Sequence, residues 1–193
     1  MFNLLNMYCI LLTLHRPSIP FPFNIYNYRR FPLNTGARYY HEYKINDVER
    51  LKFVISLFRK LPSKDQQRLI FAVKKVNDCL IKDDNKEKII DLATAAECIF
   101  EINGFNLEFK LQVRAAWLLG NNKEERKSIM NVFKEIYDVR SKFIHGNIKG
   151  IIKQQNLKEI IERGIELVSN AIWKILELGK SPSWDELVID ASL

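Results

Sequence analysis

Glycine and proline are scarce in this chain of 193 residues, which holds seven of the first and six of the second. Four of the prolines precede residue 33, and none lies between residues 63 and 181. Proline breaks helices and interior glycine weakens them. The long proline-free stretch therefore predicts a helical protein, and the absence of strand-helix alternation argues against a Rossmann-type sheet.

Cysteine and histidine are also few. The three cysteines are odd in number and widely separated, which excludes a disulfide framework and predicts a reducing, cytoplasmic setting: Cys9, Cys79 and Cys98. No group of histidine, cysteine and acidic residues has metal-ligand spacing, and there is no phosphate-binding glycine loop or nucleophile elbow. The sequence thus predicts no metal and no cofactor.

Long apolar runs are missing as well. Residues 1–14 are apolar, but they are too short to span a membrane and lack the basic flank of a signal peptide. We therefore expect no membrane association. We interpret this start as a buried strand, or as the beginning of a domain whose earlier part is missing, which hints at the C-terminal part of a larger sensor protein.

Charge and aromatic residues set residues 1–45 apart. Of the formal net charge of +7, this segment carries +4. A basic balance favours an anionic partner such as RNA, although a solvated surface with excess lysine explains it equally well. Prolines and crowded aromatic rings predict an irregular arm with two short strands. The rings either stack on single-stranded nucleic acid or pack on the following domain.

From residue 46 onward, apolar residues recur every three or four positions, which is typical of helices. Short connections predict an antiparallel helical bundle, so the fold class is all-α, with an arm at 1–45, the bundle at 46–180 and a tail at 181–193. The tail is expected to dock as a strand or a short turn. Six helices are predicted. The first runs from a cap at Asn46 or Asp47 to near Pro62, the second from Ser63 to the polar turn at 82–85, and the third from that turn to Asn103. The fourth runs from a cap at Asn106 to Gly120, the fifth ends at His145, and the sixth runs from about Gln154 to Leu178.

Arg140 and His145 are the strongest candidates for chemistry. Arg140 falls on the apolar stripe of the fifth predicted helix, where a guanidinium is costly unless an anion meets it. His145 closes that helix, and Gly146 suits a left-handed end. The alternative to a catalytic role is that Arg140 is an ordinary exposed arginine and that His145 stands at the helix C-terminus because it interacts favourably with the helix dipole.

These two residue types suit cleavage of RNA by transesterification. The ribose 2′-hydroxyl attacks the adjacent phosphorus. A histidine accepts the proton of that hydroxyl, because the imidazole ionises near neutral pH. An arginine binds the phosphate oxygens with two parallel N–H donors. The products are a 2′,3′-cyclic phosphate and a 5′-hydroxyl, and no metal is needed.

The segment from Tyr137 to Gly146 resembles the signature of the HEPN superfamily, in particular its Apea-like branch, in which an arginine precedes a histidine by a few residues. The stretch Ile89–Phe100 is similar to that family's helix with an acidic residue. Val113–Gly120, followed by Glu125 and Arg126, is similar to the next helix and turn. The resemblance covers about residues 65–175.

The resemblance implies an all-α homodimer with its two motifs facing each other across the Arg140/His145 face. It implies a metal-independent endoribonuclease of toxin-antitoxin or phage-defence systems, with an antitoxin or sensor domain as a further partner. Arg140 and His145 map onto the motif pair, and Ser141 stands where the family often has Asn, Asp or His. Glu97 maps onto the acidic position, where it either orients Arg140 or pairs with a surface lysine. Further RNA contacts are assigned to Lys142, Arg114 and Arg126, with a structural ion-pair role as the alternative for Arg114 and Arg126.

Two other functions stay open at this point. One is a non-catalytic HEPN module for dimerisation or for binding RNA or nucleotides, which the neutral Ser141 favours. The other is a plain helical interaction domain in which the Arg140–His145 spacing is accidental.

Overall fold

The computed structural model describes residues 45–145 and 154–189. Helices dominate these ranges and no strand occurs in them, so the all-α prediction is confirmed. Residues 1–44 of the predicted arm, with Cys9, and Gly146 lie outside the described residues. The helices are α1 (Ile45–Lys60), α2 (Ser63–Ile81), α3 (Asn85–Ile99), α4 (Leu107–Leu119), α5 (Lys123–Ile144), α6 (Gln154–Leu178) and α7 (Trp184–Ile189).

Two helical hairpins pack around α6. Connections of a few residues join α2 to α3 and α4 to α5, which makes each pair antiparallel neighbours. Both α3 and α5 also pack on α6, so these three helices surround the core. Phe100 lies at its centre, with its ring 5.7 Å from the rings of Phe133 and Trp184 in edge-on contacts.

Four of the six predicted helices have the expected ends to within a residue. The other two differ: α1 begins at Ile45, before the expected cap at Asn46 or Asp47, and α3 ends at Ile99 rather than at Asn103, because Glu101 turns the chain with φ of 52°. Two further differences concern capping. Pro62, rather than Ser63, occupies the N-cap of α2, because its carbonyl accepts hydrogen bonds from Asp65 and Gln66. Asn106 does precede α4, but it adopts a left-handed conformation with φ of 56° and its side chain makes no capping bond. The caps of α3 and α5 are instead made by side chains of Asp84 and Asn122.

The C-terminal tail forms the short helix α7, where the sequence predicts a strand or a turn. Trp184 is buried at its first position. Just before it, Ser181 donates its backbone N–H and its hydroxyl to the two carboxylate oxygens of Asp65, each at 2.9 Å. Arg68 pairs with Asp65 and with Glu101. These contacts hold the tail against α2, far away in sequence, and hydrophobic periodicity does not encode them.

The buried carboxylate of Asp91 on α3 binds two lysines at the C-terminal part of α2. Asp91 is 3% exposed and accepts hydrogen bonds from Lys75 at 2.7 Å and Lys82 at 2.5 Å. Burial would raise the pKa of Asp91, but the two ammonium groups outweigh it and hold that pKa below its usual value. The contribution of Asp91 to stability is therefore present above about pH 4 and is lost as the pH falls further.

We expect Asp91→Asn to lower the free energy of unfolding at pH 7 by about 2 kcal/mol, since it removes the carboxylate charge and one of the two oxygens that accept from the lysines. Urea titrations from pH 7 to pH 3 would show the gap between wild type and variant narrowing below pH 4. Asp138→Asn, at an exposed site on α5, is the control. A gap that stays constant across this range contradicts the assignment.

Candidate functional site

Arg140 lies near the C-terminal end of α5 and turns toward α3. Its side chain is 27% exposed, and Nη2 lies 3.4 Å from Oε1 of Glu97. The guanidinium carbon lies 5.3 Å from the centre of the Tyr137 ring. The anion that the apolar surroundings of Arg140 call for is thus Glu97, which pairs with this arginine rather than with a lysine.

Tyr137 completes a cluster that sequence reasoning missed. Its buried hydroxyl donates a hydrogen bond to Oε1 of Glu97, the same oxygen that faces Arg140. Burial, and then the bond to Glu97, raise the pKa of Tyr137, and the nearby Arg140 cation opposes them only in part. The phenol therefore stays protonated and remains a donor at neutral pH. The available signal was its position three residues before Arg140, which places both side chains on one helix face.

His145 occupies a different side of the helix end. It is the C-cap of α5, is exposed, and donates its backbone N–H to the carbonyl of Ser141 at 3.0 Å. Five residues turn an α-helix through about 500°, so the side chains of Arg140 and His145 point about 140° apart. The arginine therefore faces Glu97 while the imidazole faces solvent. Ser141 and Lys142 are exposed beside it.

Arg114 and Arg126 have structural partners. Nη1 of Arg114 donates to the carbonyls of Phe100 and Glu101, both at 2.8 Å, and so satisfies groups at the end of α3. Arg126 donates from Nε to the Gly120 carbonyl at 3.1 Å. These contacts hold both guanidinium groups close to the protein, and their assignment to RNA stays a prediction.

Aromatic rings add to this anchoring. The guanidinium carbon of Arg126 lies 3.5 Å from the centre of the Trp117 ring, and that of Arg114 lies 5.5 Å from the centre of Trp184. Arg114 and Arg126 thus connect helix ends. The charge pattern of the sequence does not distinguish arginines with this structural role from arginines that bind nucleic acid.

The two cysteines of the described ranges are not activated nucleophiles. Burial raises the pKa of the Cys79 thiol to about 12 and also raises that of Cys98, so neither is a thiolate at neutral pH. Among residues 45–145 and 154–189, no group of three histidine, cysteine or acidic side chains is arranged to hold a metal ion. Nor does any helix in these ranges have the length and apolar character needed to cross a membrane.

Comparison of the chain with protein-family models, with curated proteins and with solved structures gave no match.

Proposed function

We propose that this protein is a metal-independent endoribonuclease of the HEPN type that acts in phage defence or as a toxin. The observation that carries the proposal is the cluster of Arg140, Glu97 and Tyr137 at the end of α5, with the exposed His145 one turn further on. A half-buried arginine with unused donors and an accessible imidazole at the same helix end are the two groups that phosphodiester transesterification needs.

In this mechanism His145 accepts the proton of the ribose 2′-hydroxyl. The 2′-oxygen then bonds to the adjacent phosphorus, and the bond from phosphorus to the 5′-oxygen of the next nucleotide breaks. Arg140 binds the non-bridging phosphate oxygens, on which charge accumulates. The leaving 5′-oxygen takes a proton from water and the His145 imidazolium gives its proton back to water, so the products are a 2′,3′-cyclic phosphate and a 5′-hydroxyl. Ser141 is neutral and supplies no charge.

A homodimer across the Arg140/His145 face is part of the proposal. The two side chains of one protomer point about 140° apart, so they do not converge on one phosphate without help. A twofold axis at this end of α5 brings a second arginine and a second histidine to the same cleft. Ile144 supports such an interface because its apolar side chain is 53% exposed beside His145.

RNA cleavage in EDTA tests the proposal. The purified protein is incubated with end-labelled single-stranded RNA and with the same strand carrying 2′-deoxyribose throughout. We expect the ribose strand alone to be cut, with cyclic phosphate ends, because the 2′-hydroxyl is the nucleophile. Cleavage of both strands, or cleavage that requires a divalent metal, contradicts this mechanism.

A second candidate is a module that binds RNA without cutting it. The pairing of Arg140 with Glu97 and the neutral Ser141 favour this function, since both lower the charge available for catalysis. Intact RNA together with a mobility shift that weakens as salt rises would support it.

A further inference from the structure

We propose that Tyr137 is a positioning residue that weakens the hold of Glu97 on Arg140 and so keeps the arginine available for phosphate. This inference rests on the proposed function. It assigns a role to a side chain that lies outside the Arg140–His145 motif and does not itself touch RNA.

The geometry that supports it is a shared acceptor. The hydroxyl of Tyr137 and the Nη2 group of Arg140 both face Oε1 of Glu97. Arg140 lies 3.4 Å away, which is long for a bond between a guanidinium and a carboxylate. Tyr137 therefore occupies the oxygen that Arg140 would otherwise approach closely. The ion pair with Glu97 orients Arg140 but leaves some of its N–H donors unpaired.

The remaining donors of Arg140 agree with this reading. A guanidinium carries five N–H donors. Nε of Arg140 is buried and has no hydrogen-bond partner among the described residues. An unpaired buried donor is costly, so this conformation of the side chain is held only loosely. A phosphate that offers two oxygens in a fork geometry would recruit donors that Glu97 does not use.

Tyr137→Phe isolates the effect because it keeps the ring under Arg140 and removes only the hydroxyl. In this variant Arg140 is the remaining partner of Oε1 of Glu97, so the ion pair shortens. Phosphate then has to compete with a stronger bond between Glu97 and Arg140. We expect KM for RNA to rise about fivefold, which is the scale of one hydrogen bond, with kcat unchanged within about twofold. Trp173→Phe is the matched control, since it removes an aromatic donor to a glutamate elsewhere, the 2.7 Å bond to Glu177.

The Glu97→Gln background separates positioning from a general structural effect. Without the carboxylate charge there is no ion pair for the hydroxyl to weaken, so Tyr137→Phe is expected to leave KM unchanged there. A merely structural role predicts the same loss in both backgrounds, with kcat lowered as well. That result, or a KM that does not rise in the single variant, overturns the inference.

A measurement without RNA distinguishes this inference from the proposed function. Side-chain NMR of Arg140 follows rotation about its Nε–Cζ bond, which slows when the guanidinium is held more tightly. We expect slower rotation in Tyr137→Phe than in the wild type. Unchanged or faster rotation overturns the role of Tyr137 even if RNA is cut, whereas intact RNA with slowed rotation overturns only the nuclease function.

Discussion

Replacing His145 with alanine is expected to slow RNA cleavage by about 10²- to 10⁴-fold, the usual contribution of a general acid or base. The loss should appear in kcat, because the imidazole acts on the proton that moves in the transition state and adds little to RNA binding. The measurement is single-turnover cleavage of a labelled strand in EDTA, with protein in excess.

The fold should survive this change. The side chain of His145 is exposed, and the hydrogen bond that ends α5 comes from its backbone N–H to Ser141, which alanine retains. Thermal unfolding of His145→Ala should therefore match the wild type. Lys134→Ala, at another exposed position of α5, serves as the matched control for cleavage. Equal rates for His145→Ala and wild type would remove His145 from the mechanism.

Arg140→Lys in the same assay separates charge from geometry. Lysine keeps the positive charge but loses the planar fork that binds two phosphate oxygens at once. A loss as large as that of His145→Ala indicates fork binding in the transition state. A loss below about tenfold indicates that the charge alone is sufficient.

The helical bundle was readable from sequence because its signals are local. Apolar spacing and the missing prolines predicted α6 from Gln154 to Leu178, which are its bounds in the structure. The tail was not readable, since α7 depends on a site for Trp184 beside Phe100 and on bonds from Ser181 to Asp65, which is 116 residues away. Such contacts arise only after the helices have packed.

In the candidate site, too, the local feature could be predicted from the sequence and the long-range contact could not. The position of Arg140 on an apolar stripe predicted an anionic partner, and Glu97 occupies that place. The bond from Tyr137 to Glu97 spans 40 residues and depends on how α3 lies against α5. Short spacing in the sequence is also a poor guide to direction, because side chains five residues apart in a helix point about 140° apart.

Gly164 is a further case in which only packing reveals the constraint, and its replacement carries the largest stability effect that we expect. It lies inside α6, where a glycine ordinarily costs helix stability. A Cβ atom here would lie 2.6 Å from Cδ2 of Leu92 and 2.7 Å from Cδ1 of Ile136, and both of these side chains are fully buried. Glycine thus lets α3 and α5 approach α6 closely.

We expect Gly164→Val to lower the free energy of unfolding by about 3 kcal/mol, because its added methyl groups overpack a filled core. Gly164→Ala should lose only about 1 kcal/mol, since alanine's better helix propensity offsets part of the clash. Urea unfolding measures both, and Ile136→Val removes the methyl group that lies nearest on α5. In that background the loss from Gly164→Ala should shrink, as expected for residues in contact. If Gly164→Ala instead stabilises the wild-type protein, Leu92 and Ile136 can move aside, and helix propensity rather than close packing governs this position.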